Sequence, residues 1–270
     1  SHVIKRLLQE KENNVFNLDK LGYASSTYML DKLIQENNTI SSHQYKFFNI
    51  DLASKSDTAN AIEEAKPNLI MHLAAESHVD RSIDEPEEFI KSNILGTYNL
   101  LEAARRYWST LNDDNKQTFR FQHISTDEVF GPLGESGSFS EETPYDPRSP
   151  YSASKASSDH LVKAWFHTYK LPIVLTNCSN NYGPWQFPEK LIPLVIFKAN
   201  QNKKIPIYGD GLNIRDWLFI DDHVEALLLV AKKGLIGESY CIGGNGEKSN
   251  KEVVLKICEI MDKKFPSKSP

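Results

Sequence analysis

The feature that most constrains the fold is an alternation of short apolar runs with longer amphipathic segments over residues 3–178. The predicted strands are Val15–Leu18, Lys46–Ile50, Asn68–Leu73, Phe119–Ile124 and Ile173–Asn177. The predicted helices are roughly Val3–Glu10, Ser54–Ala65, Glu87–Trp108 and Tyr151–Tyr169. Buried strands that alternate with amphipathic helices predict an α/β fold, a Rossmann-like doubly wound parallel sheet covered on both faces. Such a sheet binds its ligand outside the carboxyl ends of its strands.

The pattern changes after Cys178, where a turn cluster at 180–184 introduces shorter elements. The predicted elements are helices Glu189–Asn200, Asp222–Lys232 and Asn250–Lys263, and strands near Ile205–Tyr208, Trp217–Ile220 and Ser239–Ile242. We interpret this region as a smaller α/β substrate lobe interleaved with the end of the sheet domain. The sheet domain then comprises residues 1–178 and about 214–238, and the lobe comprises residues 179–213 and 239–270.

The start of the sequence also bears on the fold. A sheet that binds a dinucleotide opens with a strand, a glycine-rich turn and a helix. This sequence begins on what reads as that helix, with Val3, Leu7 and Leu8 recurring on one face. We therefore expect the first strand and a Gly-x-x-Gly-x-x-Gly turn to lie upstream of Ser1. On this interpretation the 270 residues are a fragment or a trimmed sequence that also lacks a C-terminal portion.

Composition excludes several classes of function. The net charge is −5 with the two signs interspersed, so neither a nucleic acid nor a membrane surface is predicted as a partner. No apolar run approaches the roughly 20 residues needed to span a bilayer. The three cysteines are far apart and odd in number, which predicts reduced thiols and a cytoplasmic protein. The eight histidines form no ligand-spaced cluster, so no metal site is predicted.

Tyr151 and Lys155 form a Tyr-x-x-x-Lys motif at the start of a predicted helix. This spacing places both side chains on one face of the helix. A free phenol has a pKa of about 10, and a neighbouring ammonium favours the phenolate, so such a pair can act as a base nearer neutral pH. Alone the motif is weak, because an exposed Tyr and a solvated Lys often occur at this spacing.

The predicted strand Phe119–Ile124 leads into Ser125, Thr126, Asp127 and Glu128. A hydroxyl and two carboxyl groups therefore follow a core strand at the edge where a doubly wound sheet places its ligand. Adjacent carboxyl groups can serve as acid and base if their surroundings separate their pKa values. The alternative is a polar loop with an Asp cap.

Five longer strings of the sequence resemble the dTDP-glucose 4,6-dehydratases, a group within the extended short-chain dehydrogenase/reductase family. They are residues 73–82 (LAAESHVDRS), 123–131 (HISTDEVFG), 149–155 (SPYSASK), 177–184 (NCSNNYGP) and 187–193 (FPEKLIP). The similarity runs in order from Ser1 to about Asp262. Together these strings are far more specific than Tyr-x-x-x-Lys. The departures are the glycine turn and the C-terminal portion, both missing here.

The resemblance implies a redox-neutral lyase that converts dTDP-glucose to dTDP-4-keto-6-deoxyglucose with NAD as its cofactor. Tyr151 takes the proton of the sugar 4-hydroxyl while hydride leaves C4 for NAD, and Thr126 bonds the 4-oxygen. Lys155 lowers the Tyr151 pKa and holds the nicotinamide ribose. Glu128 then removes the C5 proton, which the C4 ketone has made acidic. Asp127 protonates the departing 6-hydroxyl, and the hydride returns to C6.

The resemblance also implies which residues contact the two ligands. The expected NAD contacts are Asp19, Lys20, Asp51, Leu52, Leu73, Ala74, Ala75, Ser77, Ser92, Tyr151, Lys155 and Asn181. The expected nucleotide-sugar contacts are Ser77, Thr126, Asn180, Lys190, Leu191, Pro206, Tyr208, Arg215 and Asn250. Asp19 closes a predicted strand, where a carboxylate can bind ribose hydroxyls and repel a 2′-phosphate, whereas Arg215 suits a diphosphate. An Asp19 that only starts a loop and a solvated Lys190 are the alternatives.

Two other functions stay open. A related NAD-dependent epimerase or decarboxylase of nucleotide sugars shares the cofactor and the Tyr-Lys pair, but it has no need for Asp127 and Glu128 together. A non-catalytic fragment that does not hold NAD is the second alternative. The resemblance further implies a homodimer built from the predicted helices Glu87–Trp108 and Tyr151–Tyr169.

Overall fold

The computed structural model describes residues 1–36, 44–134, 137–207 and 209–266. The strands are β1 (Val15–Asp19), β2 (Tyr45–Asn49), β3 (Leu69–His72), β4 (Arg120–Thr126), β5 (Ile173–Cys178), β6 (Asn180–Tyr182), β7 (Ile214–Phe219), β8 (Ser239–Ile242) and β9 (Glu247–Ser249). The helices are α1 (His2–Leu7), α2 (Tyr28–Glu36), α3 (Lys55–Ala65), α4 (Val79–Asp84), α5 (Pro86–Phe89), α6 (Gly96–Thr110), α7 (Asp113–Thr118), α8 (Pro150–Tyr169), α9 (Leu191–Asn200), α10 (Ile220–Lys233) and α11 (Asn250–Lys264). A π-helical segment, Ile90–Leu95, joins α5 to α6, and a 3-10 turn, Asp127–Phe130, follows β4.

Parallel strands dominate the described part of the chain. The largest sheet has the order β3-β4-β5-β8, and β1 and β2 form a second parallel pair. A third sheet has the order β6-β7-β9, in which β9 runs antiparallel to β7. The predicted Rossmann-like α/β class is therefore confirmed. In the largest sheet Thr126 pairs with Cys178, so the carboxyl ends of β4 and β5 are level.

The largest sheet is covered on both faces because its strands alternate. Phe121 and Ile124 are an odd number of residues apart on β4, so their side chains point to opposite faces. Phe121 belongs to a core with Leu101 of α6 and Val162 of α8, all three with 0% exposure. Ile124 belongs to a second core with Leu227 of α10 and with α1. This double burial is what the unbroken apolar runs predicted.

The structure corrects several predicted elements. Residues 205–207 form no strand, so the prediction of a strand at Ile205–Tyr208 is wrong for those three residues, and Tyr208 lies outside the described part. The turn cluster at 180–184 contains β6, because Asn180–Tyr182 pairs with β7, a partner that the local sequence does not show. Sequence reasoning also missed four other elements, α2, α4, α7 and β9.

The predicted helix Glu87–Trp108 is divided into α5, the π-helical segment and α6. The division centres on Asn93, whose carbonyl accepts hydrogen bonds from the hydroxyls of Thr97 and Ser158, both at 2.5 Å. Its side-chain amide bonds both backbone groups of Glu76. The bonds with Ser158 and Glu76, which are distant in sequence, fix Asn93 against other elements. Regular helical periodicity gives no sign of them.

Candidate active site

The chain turns sharply at the end of β4. Thr126 caps the 3-10 turn that follows, because its Oγ1 accepts a hydrogen bond from the Glu128 N–H at 3.3 Å. The same hydroxyl donates to Asp127 Oδ1 at 3.2 Å. Gly131 ends the turn with a φ of 81°, and a Cβ there would lie 2.3 Å from the Asp146 carbonyl oxygen. Glycine is therefore required for the turn that presents the two carboxyl groups.

Helix α8 begins at a fully formed capping box. Ser149 Oγ accepts from the Ser152 N–H at 3.0 Å, and Ser152 Oγ accepts from the Ser149 N–H at 3.0 Å. Pro150 occupies the first turn, where its missing N–H has no consequence. The cap fixes the helix start, so Tyr151 and Lys155 are held on one face, with exposures of only 8% and 4%.

The two groups of residues meet at the Tyr151 phenol. Thr126 lies close enough to this phenol to lower the Tyr151 pKa. Burial raises the pKa of Tyr151, and the charges of Glu128 and, more weakly, Asp127 raise this pKa further. A phenol, a hydroxyl and two carboxyl groups therefore converge on one place.

Lys155 makes a hydrogen bond to the neighbouring strand β4. Its Nζ donates to the Ile124 carbonyl at 2.9 Å, and burial lowers the pKa of this lysine. In this structure burial and the carboxylate charges push the Tyr151 pKa upward, and the role of Lys155 towards Tyr151 stays a prediction.

The two carboxyl groups have different surroundings. Burial and the charge of Glu128 raise the pKa of Asp127 to about 6. Burial also raises the pKa of Glu128, but the positive charges of Arg215 and Lys190 oppose that rise. The Asp127 carboxyl is therefore able to carry a proton close to neutral pH, whereas two cations favour the ionised form of Glu128.

A cavity of about 360 Å³ opens at the carboxyl ends of β1, β2 and β3. Nine of the residues predicted to contact NAD line it, namely Asp19, Lys20, Asp51, Leu52, Leu73, Ala74, Ala75, Ser77 and Ser92. Lys190, predicted as a substrate contact, also lines the cavity, and its Nζ donates to the Ser77 carbonyl at 3.0 Å. The other three predicted NAD contacts, Tyr151, Lys155 and Asn181, lie outside this lining.

Several lining residues were not predicted. Glu76 pairs with Lys20 Nζ at 2.9 Å, and Lys20 also donates to Ser92 Oγ at 2.8 Å. A carboxylate just beyond the end of β3 could have been recognised from its position at the ligand edge of the sheet.

Tyr23 belongs to a second unpredicted group, which joins the segment after β1 to the segment before α9. Its hydroxyl donates to Glu189 Oε1 at 2.8 Å, and its ring meets Phe187 edge-on at 5.7 Å. The Arg81 guanidinium lies 3.7 Å from the Tyr23 ring centroid. Tyr23, Phe187 and Glu189 all line the cavity, and no local pattern links these distant segments.

Two predicted substrate contacts lie on neighbouring elements of the smaller lobe. Arg215 is on β7, and Asn250 begins α11 directly after β9, the strand that pairs with β7. The Asn250 N–H donates to the Asn213 carbonyl at 3.0 Å. Arg215 lowers the pKa of both Asp127 and Glu128, so its guanidinium is near these two carboxyl groups.

The remaining predicted substrate contacts are spread along the lobe. Asn180 begins β6, Leu191 begins α9 and Pro206 is exposed in the segment before β7. No hydrogen bond or ion pair recorded for the described residues joins the side chains of these three to the catalytic carboxyl groups. Tyr208 lies outside the described part of the chain.

Asp159 was also missed. It is fully buried on α8, one turn beyond Lys155, and its Oδ2 accepts from Ser125 Oγ at 2.8 Å and Tyr145 OH at 2.9 Å. His123 Nε2 lies 3.1 Å from the other carboxylate oxygen. The signal was present in the sequence, because an acid four residues after Lys155 must share its helix face.

Comparison with known proteins identifies the family. A sequence profile of the GDP-mannose 4,6-dehydratase family matches residues 1–269. The chain belongs to this family. The dTDP-glucose 4,6-dehydratase of Neisseria meningitidis serogroup B is 50% identical over 269 residues, which are 99% of this chain and 74% of that protein. That of Haemophilus influenzae is 52% identical over 269 residues, 99% of this chain and 78% of that protein.

A solved structure of the same kind shares the fold. The crystal structure of dTDP-glucose 4,6-dehydratase from Bacillus anthracis in complex with NAD superposes with a TM-score of 0.83 and 40% identity, covering 96% of this chain and 76% of that chain. The resemblance inferred from the five strings is therefore confirmed, and the chain is a nucleotide-sugar 4,6-dehydratase. Among its described residues no helix is long and apolar enough to cross a membrane, and no group of His, Cys, Asp and Glu side chains could hold a metal ion.

Proposed function

We propose that this chain is an NAD-dependent hydro-lyase that converts dTDP-glucose to dTDP-4-keto-6-deoxyglucose. The names of its relatives support the substrate and the reaction. One arrangement carries the proposal: the Thr126 hydroxyl bonds Asp127 Oδ1 and the Glu128 N–H, and all three residues lie close enough to the Tyr151 phenol to shift its pKa. A 4-epimerase needs a base and a partner for the sugar oxygen, but a dehydratase also needs an acid and a base for the elimination of water.

The first step is removal of the proton from the sugar 4-hydroxyl. Tyr151 accepts this proton, and Thr126, which lies beside the phenol, holds the same sugar oxygen. Lys155 lies one turn further along α8, where its ammonium stabilises the negative charge that develops on the Tyr151 phenol. Only the phenolate can accept this proton, and burial disfavours that form, so the positive charge of Lys155 is needed to stabilise the Tyr151 phenolate once substrate is bound.

The second step is elimination of water across C5 and C6. Glu128 removes the C5 proton, and the cations of Arg215 and Lys190 favour the ionised form that this requires. Asp127 protonates the departing 6-hydroxyl, and its pKa, raised to about 6, leaves part of its population protonated near neutral pH. Neighbouring carboxyl groups with different environments can divide the roles of acid and base in this way.

The cavity fits NAD as the resident cofactor, which accepts a hydride and returns it. The two hydrogen bonds that Asp19 accepts from Leu21 and Ser25 both go to Oδ1, which leaves Oδ2 for ribose hydroxyls. Small side chains at Ala74 and Ala75 allow a close approach of the backbone. Lys20, Asp51, Leu52, Leu73, Ser77 and Ser92 complete the lining that we assign to the cofactor. Asn181 Oδ1 is buried and has no hydrogen-bond partner among the described residues, so an acceptor is available outside the cavity as well.

We also propose a division of the chain into a substrate lobe and a cofactor domain. We assign Asn180, Leu191, Pro206, Tyr208, Arg215 and Asn250 to the nucleotide-sugar site, in a lobe formed by residues 179–213 and 239–270. The remaining residues, 1–178 and about 214–238, form the cofactor domain. We also propose a cytoplasmic homodimer.

The proposal is tested by incubating the purified protein with dTDP-glucose and NAD, with no other oxidant, and following the sugar by proton NMR. We expect a 4-keto-6-deoxy product, and calorimetry should detect NAD binding. Recovery of a 4-epimer would identify an epimerase. Absence of both NAD binding and turnover would identify a non-catalytic protein. UDP-glucose and GDP-mannose, tested in parallel, measure the preference for the base.

A further inference from the structure

A buried polar network lies beneath the Tyr151–Lys155 pair. Its centre is Asp159, which has 0% exposure and lies against β4 and β5. Asp159 Oδ2 accepts hydrogen bonds from Ser125 and Tyr145, and Asn177 Nδ2 lies 3.5 Å from the same oxygen. A carboxylate so completely removed from water needs both hydrogen bonds and an opposite charge.

Two histidines extend the network but supply no charge. His123 Nε2 lies 3.1 Å from Asp159 Oδ1, although these two atoms do not meet hydrogen-bond geometry. His123 Nδ1 lies 3.0 Å from His72 Nδ1, so one ring donates and the other accepts. Burial lowers the pKa of both histidines, so both are neutral near pH 7. The histidines therefore cannot balance Asp159.

Lys155 carries a buried positive charge, which also needs an opposite charge nearby. Its ammonium is buried, its recorded hydrogen bond goes to the uncharged Ile124 carbonyl, and no ion pair within 4.0 Å is recorded for it in the described ranges. Burial lowers the pKa of Lys155, and the charge of Asp159 is the main cause that opposes this. Cys178 is a weaker cause, and burial raises the pKa of its thiol to about 12, which keeps it uncharged.

The other titratable groups around Asp159 and Lys155 do not replace this pairing. They are His72 on β3, His123 on β4, Cys178 on β5, Tyr145 in the segment before α8, Tyr151 on α8, and Asp127 and Glu128 in the 3-10 turn. The two histidines, the two tyrosines and the thiol are uncharged near neutral pH, because burial disfavours their ionised forms. The two carboxyl groups raise the pKa of Tyr151, whereas the charge that most raises the pKa of Lys155 is that of Asp159.

We propose that Asp159 is a positioning residue for the reaction: its buried carboxylate keeps Lys155 protonated, and so maintains the positive charge that Lys155 brings to Tyr151. The inference rests on the proposed function for its catalytic consequence, but the pairing of Asp159 with Lys155 does not: the two buried side chains lie four residues apart on α8 and bond the adjacent residues Ser125 and Ile124 of β4. Asp159 affects the sugar only indirectly, through Lys155 and Tyr151.

The pairing is tested first by stability, which requires no turnover. Urea unfolding is measured for Asp159→Asn, Lys155→Met and the double variant. Each single change leaves one buried charge without its partner, whereas the double change removes both. We expect the folding equilibrium constant of the double variant to exceed the product expected from the single changes by on the order of tenfold.

A control cycle uses Ser158→Ala with Lys155→Met. Ser158 precedes Asp159, is fully buried and bonds the carbonyls of Asn93 and Ser154, but it carries no charge. Its effect should be additive with that of Lys155→Met. Additive effects for the Asp159 cycle as well would overturn the proposal. If Asp159→Asn does not fold alone, recovery of folding in the double variant supports the pairing, and failure of both refutes it.

The catalytic consequence is tested in a Glu128→Gln background, which isolates C4 oxidation because the C5 base is absent. The rate of reduction of bound NAD by dTDP-glucose is measured against pH, with and without Asp159→Asn. If the reaction requires the Lys155 ammonium, the rate of NAD reduction falls as pH rises through the pKa of Lys155. Because Asp159 raises that pKa, its removal should move the alkaline limb to lower pH, by about one unit.

A merely structural role would lower the rate at every pH without moving the limb, as we expect for Ser158→Ala in the same background. An unmoved limb in folded Asp159→Asn protein would refute the positioning role. If the wild-type protein bound NAD but did not reduce it, the proposed function would fail instead, and the stability cycle would still report on the pair.

Discussion

Asp127 and Glu128 are adjacent in sequence, but the fold gives them different electrostatic surroundings. Burial raises the pKa of both carboxyl groups. The next largest effect on Asp127 is the negative charge of Glu128, which raises its pKa further, whereas the next largest effect on Glu128 is the positive charge of Arg215, which lowers its pKa. The difference is what an acid and a base at neighbouring positions require. Single-residue changes can therefore separate the steps of the reaction.

Changing Glu128 to Gln should stop the elimination but leave C4 oxidation measurable. The amide cannot accept the C5 proton, while Tyr151 and Thr126 are unchanged. Exchange of the C5 hydrogen with solvent deuterium, followed by NMR, should be lost. Tyr151→Phe is the contrasting variant, which should suppress reduction of NAD itself by a factor of about 10² to 10⁴. Normal C5 exchange in Glu128→Gln would remove Glu128 as the base.

The pKa of Asp127 predicts a pH dependence. A general acid must be protonated, and the protonated fraction of a group with a pKa of about 6 falls roughly tenfold per unit as pH rises above that value. We expect kcat/KM to decline above about pH 6 for this reason. Asp127→Asn should abolish this limb and leave a low, flat rate over the same range. A decline of the same shape in Asp127→Asn would assign the limb to another group.

At the scale of single elements, the N-terminus of α8 links stability to function. The Ser149–Ser152 capping box fixes the turn of helix that carries Tyr151 and Lys155. The π-helical segment contributes in a similar way, because Asn93 Nδ2 donates to Ser154 Oγ of the same helix at 2.8 Å. Helix termini without such caps leave backbone groups unsatisfied and fray.

Ser149→Ala should lower the free energy of unfolding by about 1 kcal/mol, since one side-chain cap is lost. It should also lower kcat/KM, because the first turn of α8 holds the catalytic phenol. Asn112→Ala is the matched control, as Asn112 caps α7 by accepting from the Asn115 N–H at 2.9 Å. Urea unfolding should show a similar loss for both variants, and steady-state kinetics should show a loss only for Ser149→Ala. Equal kinetics in the two would separate the cap from catalysis.

At the scale of the whole molecule, α6 and α8 together present a polar and aromatic surface. Tyr98 meets Trp165 edge-on at 5.9 Å, and the Arg105 guanidinium lies 4.7 Å from the Tyr169 ring. Leu95, one turn before Tyr98, is 42% exposed. We assign this surface to the proposed homodimer, because two such helices from each subunit can pack as a four-helix arrangement.

Light scattering of the protein should therefore give the mass of a dimer. Leu95→Glu places a charge at the proposed contact and should shift the mass toward a monomer. Leu229→Glu, on α10 with 54% exposure, is the control that should remain dimeric. A monomeric unchanged protein, or dimers in both variants, would contradict this assignment of the interface.

The sequence by itself determined the elements of the main sheet, the family and most of the cofactor cavity. Strands β1 to β5 were predicted to within two residues at each end, because a parallel strand buried on both faces appears in the sequence as a nearly unbroken apolar run. Most of the lining residues that were predicted follow the ends of β1, β2 and β3, a position that parallel topology fixes. The Thr126–Asp127–Glu128 and Tyr151–Lys155 groups could be recognised because each lies within one short stretch.

Only the tertiary structure decided which distant residues meet. Asp159 bonds Ser125, 34 residues away, and Tyr23 bonds Glu189, 166 residues away, so no local periodicity reports either contact. The direction of the Tyr151 pKa was also decided there, because burial and neighbouring charge depend on everything packed around a group rather than on its own helix. Sequence patterns show which side chains are removed from water, and the packed chain determines which partners they then find.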